Sequence, residues 1–141
     1  MSYLKKISQI AVVSVALLSV NVFAEVSVIV HKSNAANVSV DEVKRIFLGK
    51  SKKFSDGASA VPINLSASVA VRGEFDDAAL GKSTNQTKAY WSKLVFSGKG
   101  NPPKEVSSTA EMIELVSKNP SLIGYVDSAS VTGDVKVIAT F

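Results

Sequence analysis

The chain has 141 residues, no cysteine, and 16 Lys+Arg against 12 Asp+Glu, a formal charge of +4. Without cysteine it has neither disulfides nor a lipid-carrying thiol, so its core alone must hold it, which is feasible at this size. The Lys and Arg residues are scattered and lack interleaved aromatics, so no nucleic-acid face is indicated.

Residues 1–24 read as a secretory signal peptide. Lys5 and Lys6 form a basic start, Ile10 to Val20 is an apolar run, and Val22-Phe23-Ala24 is a small-residue exit with cleavage expected after Ala24. The apolar run is short for a membrane span, which leaves an uncleaved anchor as the alternative and no membrane insertion after cleavage. Lys5 and Lys6 carry half of the formal charge away with them. Residues 25–141 are long enough for one domain and not for two. The expected compartment is the periplasm, or the exterior of a cell without one.

Val26, Val28 and Val30 alternate with Ser27 and Ile29 in a first strand, and Lys32 to Asn37 is a polar loop. Ser39 opens a helix: Glu42 completes a capping box, Val38 and Val43 occupy the staple positions, and Asp41 suits the dipole. Val43, Ile46 and Phe47 form its core stripe, Gly49 ends it as a left-handed cap, and Lys50 to Gly57 is a basic, turn-rich connection.

Ala60 to Leu65 is a short apolar run that reads as a buried strand, followed by Ser66-Ala67-Ser68 and a helix from Val69 to Leu80 that Gly81 closes. Val71, Phe75, Ala78 and Ala79 fall on one stripe of that helix, and Gly73 within it costs about 1 kcal/mol relative to Ala. Ser66 or Ser68 can cap the helix. The remaining N–H donors and the helix dipole make a place where an anion can rest, and Arg72 could add a charged fork one turn on. The competing reading is an ordinary cap with a solvated arginine.

Ser83 with Gln86 is a second capping box, leading into Lys88 to Phe96, whose Tyr90, Trp91, Leu94 and Val95 read as a core face. Ser97 to Pro103 is an irregular loop whose glycines match no phosphate-loop spacing. Ser108 and Glu111 open a fourth helix with Met112, Ile113 and Val116 inward, and Asn119-Pro120 stops it. Leu122 to Val126 reads as a buried strand, and a turn at Thr132-Gly133-Asp134 leads to a last strand, Val135 to Thr140. Strands alternating with helices imply an α/β domain with a central, mostly parallel or mixed sheet flanked by helices.

Catalysis and metal binding find little to stand on. His31 is the lone histidine, no motif orders a nucleophile, and the adjacent Asp76 and Asp77 point about 100° apart on a helix. The chain is therefore expected not to be an enzyme and to carry no cofactor and no metal.

Three segments recur in a familiar order: Ile46-Phe47-Leu48-Gly49-Lys50, then Ser97-Gly98-Lys99-Gly100-Asn101 after a Trp-bearing helix, then Ile123-Gly124-Tyr125-Val126. They resemble the phosphate-binding proteins of ABC transporters, of the type 2 periplasmic binding protein fold. The likeness is strongest to the short, single-lobe relatives within the phosphate ABC transporter substrate-binding protein family. The resemblance implies a second lobe plus a connecting strand, Glu25 to His31, over a periplasmic binding protein-like domain of residues 25–141. In that family the second-lobe loop pairs an arginine at the strand end with a Ser-Gly-Thr turn. Here Asn64 stands at the arginine position, Ser68 matches the serine, and Val69-Ala70 replace Gly-Thr. The resemblance, through Asn64 and Ser68, and the helix-start chemistry of Ser66, Ser68 and Arg72 together give Asn64, Ser66, Ser68 and Arg72 as the expected ligand-binding residues, with phosphate or a similar oxyanion as the ligand. The resemblance also implies a membrane transporter or sensor as a further partner. The alternative is a non-catalytic interaction module that docks its single lobe onto an envelope transporter or sensor.

Overall fold

A computed structural model of the chain describes residues 25–141, together with the isolated residue 16. The rest of the predicted signal peptide lies outside the described residues. The first strand, β1 (Val26–His31), lies in the interior of the sheet, and its first five residues are all buried. A strand whose alternate residues are buried on both faces must be covered on both, and the surrounding elements supply those covers.

The sheet has five strands in the order β3-β2-β4-β1-β5: β2 (Val61–Leu65), β3 (Lys104–Val106), β4 (Leu122–Asp127) and β5 (Val135–Thr140) accompany β1. β2 runs parallel to both β3 and β4, whereas β1 runs antiparallel to β4 and β5, with a bulge between Val28 and Ile29. The sheet is thus mixed, as the alternation of elements predicts. The short β3 is an addition, since no pattern in the sequence marks Lys104 to Val106 as a strand.

The helices are α1 (Val40–Phe47), α2 (Ala70–Phe75), α3 (Thr84–Phe96) and α4 (Thr109–Lys118). On β4 the adjacent Gly124 and Tyr125 face opposite sides, and their neighbours identify the two layers. A Cβ placed on Gly124 would collide with Met112 Sδ of α4. Tyr125 packs against Phe47 of α1 at 5.8 Å between centroids and stacks on Phe75 of α2 at 3.7 Å. One face of the sheet therefore carries α4 and the other carries α1 and α2, a three-layer arrangement.

The capping signals of α1 and α3 are realised in full. Ser39 Oγ accepts from Glu42 N–H while Glu42 accepts from Ser39 N–H, and Ser83 and Gln86 repeat the exchange. Ser108 caps α4 by accepting from Glu111 N–H. Gly49 takes a φ of +72°, the left-handed cap predicted for it.

The helix after β2 departs from a single α-helix. Its α-helical part ends at Phe75, and Asp76–Leu80 form a π-helical turn. A wider turn advances the buried stripe by a residue. Ala78, predicted on the core face, is therefore exposed, while Asp76, Ala79 and Leu80 are buried. The face predicted as core on α3 is also largely open: Trp91 is buried, Tyr90 and Leu94 are half-buried, and Val95 and Phe96 are 48 % and 96 % exposed. No further layer of described chain covers them.

Candidate functional site

Asn64 sits at the end of β2 and is fixed from behind. Its Oδ1 accepts from the Tyr125 hydroxyl and from Leu65 N–H at 3.1 Å. Leu65 N–H also approaches the Tyr125 oxygen at 3.3 Å. Tyr125 is wholly buried against Phe75, and that burial pushes its phenol well above the ordinary range, so the hydroxyl stays protonated and donates. With Oδ1 used inward, the Asn64 Nδ2 donors have no protein acceptor among the described residues.

The turn that follows is pinned by Ser66 N–H donating to Val106 O at 2.8 Å, which ties it to β3, and closes through Val69 N–H to Ser66 O at 3.0 Å. Neither predicted serine caps the helix. α2 begins at Ala70, so the cap position falls on Val69, which makes no side-chain capping bond. Ser66 Oγ and Ser68 Oγ instead lie 3.1 Å apart and bond to each other. The sequence pattern puts the helix start at Val69, and one residue of offset removes the hydroxyl from the N–H groups it would have satisfied. Among the described residues the N–H groups of Ala67, Ala70 and Val71 consequently have no protein acceptor. Ala67, Ser68 and Ala70 are exposed at this corner.

Arg72 is turned away from that corner. It is 2 % exposed, and its Nε donates to Asp76 Oδ2 at 2.8 Å, while Nη1 donates to Leu65 O at 2.7 Å and to Glu105 Oε1 at 3.0 Å. It is thus not a solvated arginine; Nε and Nη1 are spent on a clamp joining α2, the end of β2, and β3, and are not offered to an anion at the turn. Burial pushes the Asp76 carboxyl up from its ordinary range, and the Arg72 guanidinium draws it part of the way back.

Beside the clamp opens a cavity of about 500 Å³. Asn64 and Arg72 are its buried polar members, and Ser66 and Ser68 do not line it, so the predicted residues divide between two adjacent places. Its outer wall is the α3 face of Lys88, Trp91, Ser92, Val95 and Phe96, spaced as i, i+3, i+4, i+7 and i+8. Pro102, Pro103 and Glu105 face that wall. Sequence reasoning misses this face because it assigns the apolar residues of α3 to the core. The unbroken spacing from Lys88 to Phe96, with a lysine at one end and an unburied phenylalanine at the other, is the available signal.

Two of the three segments that carry the family resemblance, 46–50 and 97–101, meet around Trp91. A Cβ on Gly49 would lie 2.7 Å from Trp91 Cη2, one on Gly100 would lie 3.5 Å from Trp91 Cζ3, and Tyr90 donates to Leu48 O at 2.6 Å. Among the described residues, no group of His, Cys, Asp and Glu gathers to hold a metal ion.

No family model matches the chain, and no curated protein sequence matches it significantly. Solved structures do. An ABC-type phosphate transport receptor from Vibrio cholerae superposes with a TM-score of 0.63 at 20% identity, over 82% of this chain and 46% of that one. The chain has the fold of one lobe of a periplasmic binding protein. A phosphate ABC transporter substrate-binding protein from Clostridium perfringens, with phosphate bound, gives 0.63 at 18% identity over 82% of this chain and 45% of that one. PstS from Borrelia burgdorferi gives 0.59 at 17% identity over 83% and 48%. The chain therefore spans about half the length of the structures it matches.

Proposed function

We propose that this lobe is an exported, non-enzymatic oxyanion-binding protein, with phosphate as the ligand, held at the turn between β2 and α2. The observation that carries the proposal is the set of unpartnered N–H groups of Ala67, Ala70 and Val71 beside the Ser66 and Ser68 hydroxyls. Free backbone donors at a helix start favour negative charge. Two of the matched structures are named as phosphate transport proteins, and one of these holds phosphate, which supports the same ligand class. Asn64 and Arg72 act beneath the turn, holding the strand end and the helix in register. Periplasmic location follows from the leader read in residues 1–24, and no helix among the described residues is long and apolar enough to cross a membrane.

A single lobe buries an anion on one side only, so the expected affinity is weak, and a transporter or sensor in the membrane is the expected partner. Titration of residues 25–141 with inorganic phosphate, followed by calorimetry and melting temperature, tests the proposal. At 100 times its dissociation constant a ligand adds about 2.7 kcal/mol to stability. Ser66→Ala with Ser68→Ala is expected to remove that gain without lowering the melting temperature of the free protein. No heat and no shift with phosphate or sulfate at millimolar concentration would refute anion binding.

The exposed Phe96 and Val95 favour a second reading, a lobe that docks onto an envelope protein through α3. Cross-linking from position 96 in intact cells tests it: one defined transporter or sensor subunit is expected, and its absence removes this reading.

A further inference from the structure

We propose that the cavity between α3 and the 102–105 segment is a second binding site, for a small carboxylate with an apolar body. It does not rest on phosphate binding at the turn, because Ser66 and Ser68 lie outside it.

Size is the first argument. A volume of about 500 Å³ lies within the range of small-molecule sites and far exceeds the needs of a tetrahedral oxyanion. The walls are the second: Trp91, Val95, Phe96, Pro102 and Pro103 present hydrocarbon and aromatic surface, which favours an apolar body.

The third argument is the polar lining, in which donors outnumber acceptors, with Asn64 and Arg72 at its inner end. Arg72 uses Nε and Nη1 inside the protein, leaving Nη2 without an acceptor among the described residues. Asn64 Nδ2 is in the same position, since Oδ1 takes both internal bonds. Trp91 Nε1 also lacks a partner among the described residues, but it is sealed from the cavity and the ring alone forms wall. Lys88 stands on the same wall, in no ion pair among the described residues. An acceptor-only head such as a carboxylate satisfies several such donors at once. Glu105 is the one acidic group on the lining, and its Oε1 is already turned to Arg72. Head group and body are thus specified separately, the head by the donors at the inner end and the body by α3 and the prolines.

Trp91 is the sole tryptophan of the chain, so its fluorescence and its single indole N–H resonance both report this cavity. The experiment titrates residues 25–141 with 3-phenylpropionate, with 3-phenylpropionamide as the uncharged control. A saturable shift of the indole resonance is expected with the acid, and binding weaker by about tenfold or more with the amide, the loss of one charged contact. Lys88→Ala and Val95→Asp change exposed positions, so both fold. The first is expected to weaken binding about tenfold and the second to abolish it. Glu105→Gln is expected to strengthen binding.

Equal binding of acid and amide, no response up to 10 mM (about the weakest affinity such a site could usefully have), or weakened binding in Glu105→Gln would overturn the proposal. So would a finding that Val95→Asp only dissociates a dimer of this chain, with no carboxylate response in either protein. Inorganic phosphate is expected to leave the indole resonance in place, so failure of either site is read independently of the other.

Discussion

Arg72 shows how a single side chain settles what a stretch of sequence can do. A buried guanidinium with two carboxylates and a carbonyl around it is costly to disturb from either side, because the remaining partner is left charged and dry. Arg72→Ala is expected to destabilise the fold by about 3–5 kcal/mol, measured by urea denaturation, by leaving Asp76 buried and uncompensated. Asp76 also gives a pH dependence whose sign runs opposite to the usual acid loss. Its folded pKa lies above the unfolded value of 3.8, with Arg72, Thr84 and Glu105 as its polar and charged surroundings. Its contribution is therefore fully present below 3.8 and is lost as the pH rises through the raised folded value. Comparing the urea midpoint of the wild type with that of Asp76→Asn from acid to neutral pH isolates this term. The difference between them is expected to change across that window, and a constant difference would refute the assignment. Gly49 carries a different constraint. A side chain there must adopt a left-handed backbone and displace Trp91, so Gly49→Ala is expected to cost about 2–4 kcal/mol by urea denaturation. Trp91 emission is expected to shift red as the ring loses its seat.

Among the elements, what is legible in the sequence is what is decided locally. Ser39 with Glu42 and Ser83 with Gln86 announce helices because both halves of each bond lie within four residues, and the structure contains both. The turn at Ser66 to Ser68 is legible as a turn but not in its wiring, since a one-residue offset in the helix start decides which residue caps. A pair of substitutions measures the difference. Ser39→Ala is expected to cost about 1 kcal/mol in urea denaturation and Ser68→Ala less than about 0.5 kcal/mol. Equal losses would return Ser68 to the cap. β3 is not legible because Lys104 to Val106 has neither length nor alternation and is a strand only by virtue of pairing with β2. The π-helical turn is not legible either: Arg72 and Asp76 stand at i and i+4, the spacing of an ordinary α-helical ion pair, so nothing in the sequence marks the wider turn. The sequence suggests Arg72 as part of the site; Asp76 at i+4 is a partner its spacing offers, whereas Glu105 is brought to it only by the tertiary structure.

At the scale of the whole molecule, the sheet has a protected centre and open sides. β1 and β4 are buried along nearly their whole length, whereas β5 exposes Lys136, Val137 and Thr140, and β3 exposes Lys104 and Glu105. Native-state hydrogen exchange is expected to find the amides of Val28 to Val30 and Ile123 to Val126 opening only with global unfolding, and those of β5 by smaller fluctuations. Uniform protection across the five strands would contradict that gradient. Of the whole, the fold class and the order of elements can be read from hydrophobic period and caps. The cavity cannot, because its walls come from α3, β2 and the 102–105 segment, which only the tertiary structure brings together.

The central place of β1 fixes a sequence of events in time. The strand made earliest lies between β4 and β5, the two made latest, so it has no neighbour to pair with until nearly all the chain has been synthesised. A polypeptide emerging from the ribosome or threading a narrow channel therefore stays open until its last strands arrive, and then closes in a step dominated by distant contacts, which are slow to form. Under the export proposed above, that delay keeps the chain fit for transit.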